Sequence, residues 1–136
     1  MREIVFRGKR TDTGEWVYGN LLQDGDWCFI VKTIKAFLEA PLNECLVIPD
    51  TVGQYTGLKD RNGREIYPGD ILAASGRVIG YVKDGVRGYC YDVVYVNHPA
   101  GEKRWTLYST VTDDFPDKIE VIGNIYDNSE LLEDVK

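Results

Sequence analysis

Gly53-Gln54-Tyr55-Thr56-Gly57-Leu58-Lys59-Asp60-Arg61-Asn62-Gly63-Arg64-Glu65-Ile66-Tyr67-Pro68-Gly69-Asp70-Ile71 carries four glycines, an Asn-Gly step and a Pro-Gly-Asp step within nineteen residues. That density of turn chemistry sets a backbone path and leaves little room for a helix. Asn62-Gly63 predicts a tight hairpin with positive φ at both positions. Pro68-Gly69 predicts a turn whose second central residue has positive φ. Nothing in the stretch resembles a catalytic apparatus, so it speaks to architecture.

Upstream, Ile4–Gly8 and Glu15–Leu22 read as strands joined by the turn Thr11–Gly14. Trp16 and Tyr18 fall on one face of the second strand, Val17 and Leu21 on the other. Asp24-Gly25-Asp26 turns the chain into a third strand, Trp27–Val31. Thr33–Ala40 is a short helical candidate, with Ile34, Phe37 and Leu38 at i, i+3, i+4 spacing, Thr33 as cap and Pro41 as stop. Cys45–Ile48 is an apolar strand, and Asp50–Thr56 runs on extended.

Downstream, Ile71–Ala74 and Arg77–Val82 are strands around Ser75-Gly76. Lys83-Asp84-Gly85 offers an Asp-Gly hairpin turn, from which Tyr89–Val96 returns. Arg104–Val111 alternates, with Trp105, Leu107 and Val111 on one face. Asp113–Asp117 is an acidic loop with Pro116. Ile119–Tyr126 is a last strand with Ile119, Val121 and Ile125 alternating, and Ser129 caps a terminal helical turn.

Short strands with turn signals at close intervals predict an all-β or β-dominated α+β fold of antiparallel hairpins, with at most short helices. Five strands between Gly69 and Tyr126 have the count and spacing of a small SH3-like barrel, whose closure would remove exposed edges. The expected organisation is an N-terminal hairpin lobe with the turn-rich segment over 1–68 and a barrel-like lobe over 69–136, together one compact unit.

The chain has 136 residues, 43% of them hydrophobic, 28% charged and 12% aromatic. These values suit a soluble β-rich domain or two small lobes. No apolar run approaches the ~20 residues of a membrane helix. The opening Met1–Arg7 turns charged too soon for a signal peptide, so the expected compartment is the cytosol. Cys28, Cys45 and Cys90 are odd in number, lie in apolar stretches and lack zinc-type spacing, so they read as small buried hydrophobes. The net charge of −6 sits in residues 113–136, which hold eight acids and two lysines, while residues 1–112 are neutral. An acidic end repels phosphate backbones and argues against nucleic acid.

Thr56–Ile71, the opening Met1–Arg7 and Val121–Leu132 together resemble, in the same order, the motifs of the YopX family of phage and prophage proteins. Pro68 stands where an acidic residue is common in that family, and Ser129 where proline is common. Residues 76–117 match no pattern of the family. The resemblance implies a phage- or prophage-encoded, β-rich protein of the bacterial cytoplasm, and it implies no activity.

Each motif residue has a scaffold role on physical grounds. Gly57, Gly63 and Gly69 supply angles that a Cβ opposes at a cost of roughly 1–2 kcal/mol each. Asp60 and Asp70 suit turns by bonding backbone N–H groups, Asn62 suits the turn by tolerating positive φ, and Asn124 and Asn128 can bond N–H groups beside the last strand, around Gly123.

Candidate chemistry is sparse. His98 lies in the loop Asn97–Gly101 with neither an orienting partner nor a nucleophile in view. Asp24 with Asp26, and Asp113 with Asp114, lack the spacing of a calcium loop. Gly85-Val86-Arg87-Gly88 is too sparse for a phosphate loop. Arg77, Tyr81, Lys83, Arg87, Tyr89 and Tyr91 alternate bases with aromatics and form a possible binding face for single-stranded nucleic acid, interrupted by Asp84 and Asp92. Ordinary cross-strand packing of tyrosines is the simpler reading.

The sequence therefore predicts a non-enzymatic binding or self-assembling module without catalytic residues, cofactor, metal or membrane. Its expected partner is a host or phage macromolecule, or further copies of the chain. A single-stranded nucleic-acid module is the first alternative, and a small metal-dependent hydrolase the last.

Overall fold

The structure is a computed structural model that describes residues 4–39, 44–85, 90–96 and 103–133. The chain divides into two compact units, Met1–Tyr55 and Thr56–Lys136. Each is built on an antiparallel sheet, and the helices are short.

The first unit holds β1 (Phe6–Lys9), β2 (Trp16–Asp24), β3 (Trp27–Val31), β4 (Leu46–Val47) and β5 (Gly53–Gln54), in the order β4-β3-β2-β1-β5. Arg10 accepts the bond from the Gly14 N–H at 3.0 Å, which closes the expected turn between β1 and β2. Cys28, Ile30 and Val47 form the buried centre, with Phe6, Val17, Leu21 and Val52 packed against it. The alternation of β2 thus turns Val17 and Leu21 inward. Trp16 is on the other face, under the Arg7 guanidinium at 4.4 Å. Helix α1 (Ile34–Glu39) starts where expected, because Thr33 Oγ1 accepts from the Ala36 N–H at 3.0 Å. Pro41, its expected stop, lies outside the described residues. The extended run expected after Asp50 begins instead with a 3-10 turn at Pro49–Thr51. Thr51 Oγ1 there accepts from the Lys9 N–H at 2.9 Å and donates to the Ile48 carbonyl at 2.6 Å.

The second unit holds β6 (Asp70–Ala74), β7 (Arg77–Asp84), β8 (Tyr91–Tyr95), β9 (Lys103–Thr106) and β10 (Ile119–Asn124), in the order β10-β6-β7-β8-β9. Among the described residues no ladder joins β9 to β10. Its centre is Ile66, Leu72, Ala74, Val82, Val93, Leu107, Ile119 and Val121. Residues 56–68, which the sequence grouped with the N-terminal lobe, sit in this unit: Ile66 is fully buried in its core, and the Arg61 N–H bonds the Ile119 carbonyl at 2.8 Å.

Three elements differ from expectation. Asp84 does not turn the chain; it pairs with Tyr91, and residues 86–89 lie outside the described residues. The strand expected over Arg104–Val111 stops at Thr106. Its hydroxyl accepts from the Ser109 N–H at 3.1 Å and starts α2 (Leu107–Ser109), which continues as a π-helical turn over Thr110–Asp114. Alternation predicted one face for Trp105 and Leu107, yet Trp105 is 49% exposed and Leu107 only 1%. In β10 the register shifts between Val121 and Gly123, which ends the expected alternation before Ile125. A last helix, α3 (Glu130–Glu133), follows Ser129, whose carbonyl accepts from the Leu132 N–H at 3.1 Å. No described helix is long and apolar enough to cross a membrane.

Candidate functional site

The turn-rich stretch folds into a small hairpin. Ile66 N–H bonds the Leu58 carbonyl, Lys59 bridges Glu65, and the Asp60 N–H bonds the Arg64 carbonyl at 2.9 Å. Gly63 has φ of 82°, whereas Asn62 does not have positive φ. The expectation of positive φ at both is corrected: a three-residue loop closes here by a Gly63 N–H to Asp60 carbonyl bond of 3.0 Å, with glycine alone left-handed. The Pro68-Gly69 turn forms as expected. The Asp70 N–H bonds the Tyr67 carbonyl at 3.1 Å, and Gly69 has φ of 93°. Gly57 is also left-handed, at 88°.

The motif carboxylates face main chain. Asp60 Oδ1 accepts from the N–H groups of Asn62 and Arg64 at 2.8 and 2.9 Å. Its Oδ2 accepts from the Val121 N–H at 2.9 Å, which ties the hairpin to β10. Asp70 Oδ2 accepts from the Tyr67 N–H at 2.8 Å. At the other end of β10, Asn124 Oδ1 accepts from Tyr126 and Asp127 N–H, both at 3.0 Å, and Asn128 Oδ1 accepts from Asn124 N–H at 3.1 Å. A Cβ on Gly123 would lie 2.5 Å from that Asn128 oxygen. The Ile125 N–H to Gly69 carbonyl bond of 2.8 Å joins the two stretches again.

The possible binding face does not assemble as one face. Tyr81 pairs with Val94 and Lys83 with Asp92, whereas Asp84 pairs with Tyr91 and Val82 with Val93. Paired residues share a side of the sheet, so Tyr81 and Lys83 are on one side and Tyr91 on the other. Tyr91 packs against the core. Arg77 is exposed at the start of β7, opposite Ala74. Arg87 and Tyr89 lie outside the described residues. The Asp92 that interrupts this face is held by Arg104 at 3.2 Å.

A different surface emerges at β9. Tyr95 pairs with Lys103 and Val93 with Trp105, so Lys103 and Trp105 share the Tyr95 side. With Asp114 they line a pocket of about 260 Å³. The π-helical turn supplies Asp114, and its first residue is pinned. Thr110 is fully buried; its Oγ1 donates to the Thr106 carbonyl at 2.9 Å and bonds the Tyr95 hydroxyl at 2.8 Å. Burial pushes the Tyr95 hydroxyl above its ordinary pKa; Thr110 pulls it down and the Asp114 charge adds to the rise. Trp105 is 49% exposed, and Tyr108 of α2 is 64% exposed. The rim therefore combines aromatic surface with one cation and one anion. Reading Arg104–Val111 as a single strand hid this arrangement; the signal available was Thr106, a residue suited to cap a helix at Leu107.

A second pocket, about 340 Å³, lies in the first unit between Val17, Ile30, Phe37 and Cys45, with Arg10 at its rim. Asp12 holds Arg10 through bonds of 2.9 and 2.8 Å, and that pairing keeps the Asp12 carboxyl below its ordinary range. Burial pushes the Cys45 thiol up. Cys28 and Cys45 are buried and Cys90 half-buried, all as free thiols. Asp24 and Asp26 flank an exposed turn, and Asp113 and Asp114 are exposed. Among the described residues no group of three or more His, Cys, Asp or Glu is positioned to hold a metal ion. His98, Val86, Arg87 and Gly88 lie outside the described residues.

Among solved structures, the chain is similar to the crystal structure of protein EF1440 from Enterococcus faecalis. The two share 21% identity with a TM-score of 0.47, over 97% of this chain and 99% of that one. No curated protein matches the chain. The family model described as YopX protein matches residues 5–133, which spans the hairpin, both sheets and the turn after β10. The chain belongs to the YopX family.

Proposed function

We propose that this protein is a non-enzymatic accessory factor, encoded by a phage or prophage, that works in the cytoplasm of the bacterial host. It acts by binding another macromolecule or further copies of itself. The observation that carries this reading is the use of the Asp60 carboxylate, which accepts three main-chain N–H groups, at Asn62, Arg64 and Val121. Asp70, Asn124 and Asn128 accept main-chain N–H groups in the same way. Side chains so engaged hold a backbone in shape. The surface at β9 supports the binding half of the reading, since an exposed Trp105 beside Lys103 and Asp114 is a typical anchor of interfaces.

We read the second sheet as a small SH3-like barrel left open beside β9. Four strands run on from one another, the fifth returns beside the first, and a short helical turn precedes that return. Such a scaffold presents loops and one strand edge on a rigid body.

Affinity capture from infected or lysogenic bacteria, with the full chain as bait, tests the reading. The expected result is a protein or nucleic acid retained above background, and less of it with the Trp105→Ala/Tyr108→Ala double variant. Retention of nothing above background, with the bait folded and monomeric, overturns it.

A further inference from the structure

We propose that the outer edge of β9 is a two-fold self-association surface, so that the occupant of the Trp105 rim is a second copy of this chain. The inference rests on the binding reading above and names its partner. Among the described residues β9 pairs with β8 alone, which leaves one row of its N–H and C=O groups open to another strand. Trp105 stands exposed on this strand.

The charges select the occupant. Lys103 and Asp114 line the same pocket, yet no ion pair engages either of them among the described residues. A partner of one sign compensates one of these groups and repels the other. A second copy brings both signs, and a two-fold axis makes the contacts reciprocal, with each residue i meeting j while j meets i.

Strand geometry narrows the register. An antiparallel pair related by a two-fold axis normal to the sheet sets one residue opposite its own copy. Centred on Trp105, the axis brings the two indoles together and sets Arg104 opposite Thr106. Lys103 then faces Leu107 of the other copy, where the turn leading to Asp114 begins. Centred on Arg104, whose guanidinium is held by Asp92 of its own copy, the axis would set Lys103 opposite Trp105 and part the two indoles.

Light scattering and sedimentation of the full chain, without added partners, test the proposal. The expected mass rises from 15.4 kDa toward twice that value with concentration. Lys103→Glu and Asp114→Lys are each expected to weaken association roughly tenfold, and the Lys103→Glu/Asp114→Lys double variant to restore it. Trp105→Ala is expected to abolish association while circular dichroism stays native. Trp105→Gln repeats the measurement if Trp105→Ala melts early. A constant monomer mass up to about 1 mM overturns the proposal, as does a dimer that every variant retains. A monomer that still captures a foreign partner overturns the second-copy assignment and leaves the binding reading standing; a monomer that captures nothing overturns both.

Discussion

Gly63 and Gly69 both have positive φ, but their surroundings differ. A Cβ on Gly63 would meet nothing within 4 Å, so only backbone strain opposes substitution there. Gly63→Val is expected to cost ~1–2 kcal/mol in urea unfolding, since a side chain disfavours the left-handed region by that amount. On Gly69 a Cβ would also approach Tyr126 Cε2 to 2.8 Å, so even Gly69→Ala is expected to lower the unfolding midpoint further than Gly63→Val. Asp60 is the third sensitive residue. Asp60→Ala strands the Val121 N–H, which Oδ2 now accepts at 2.9 Å, and losing a buried partner costs ~1–3 kcal/mol per group. Equilibrium unfolding is expected to show a loss of at least ~2 kcal/mol, because Asn62 and Arg64 lose acceptors as well. The glycine angles were legible in the sequence because they are local sterics. The Asp60 bond to Val121 was not, because its partners lie 61 residues apart.

At the level of elements, the end of β9 shows how a single side chain overrides a pattern. Arg104–Val111 alternates like a strand, yet the Thr106 hydroxyl captures the Ser109 N–H and the chain turns helical. Thr106→Val keeps shape and strand preference but removes the cap, and it is expected to destabilise the protein by ~1 kcal/mol in thermal or urea unfolding. Tyr95, bonded to Thr110 at the start of the π-helical turn, adds a pH dependence. Burial, with Asp114, raises its folded pKa above the ordinary 10.0, against the opposing pull of Thr110. Above the ordinary value the folded chain keeps a proton that the unfolded chain has lost. The contribution is therefore complete below pH 10.0 and lost as pH rises through the folded value. Urea midpoints measured through that alkaline range are expected to fall with pH, and to fall less steeply in Tyr95→Phe. The third strand, Trp27–Val31, matched its expected limits because a turn bounds it tightly at Gly25. The β7–β8 hairpin did not, and with it went the six-residue face. Antiparallel pairing across this hairpin joins odd positions to even ones, as Tyr81 to Val94 and Asp84 to Tyr91, which puts Tyr91 on the opposite side from Tyr81 and Lys83.

For the whole molecule, the two units have unequal means of holding together. The second buries a cluster of eight apolar residues, while the first centres on Cys28, Ile30 and Val47. A fragment spanning 56–136 contains that cluster, the Asp60 hairpin and every ladder of β6 to β10. It is expected to unfold cooperatively on its own, with sigmoidal thermal and urea transitions that coincide; a gradual, non-cooperative melt would count against an independent core. The boundary at Tyr55 and Thr56 was not visible in the chain, since turn residues look alike whichever neighbour they pack on. Ile66 and Asp60 belong to the second unit through contacts with β10, far along the sequence. By itself the sequence determined the β-dominated class, the turns at Gly63 and Gly69 and the cap at Thr33, because steric limits on φ and single hydrogen bonds act within a few residues. The tertiary structure alone decided which side chains share a face, where the family motifs meet, and that Lys103, Trp105 and Asp114 border one pocket. Those outcomes depend on register and long-range pairing, whose energies come from the packing of segments distant in the chain.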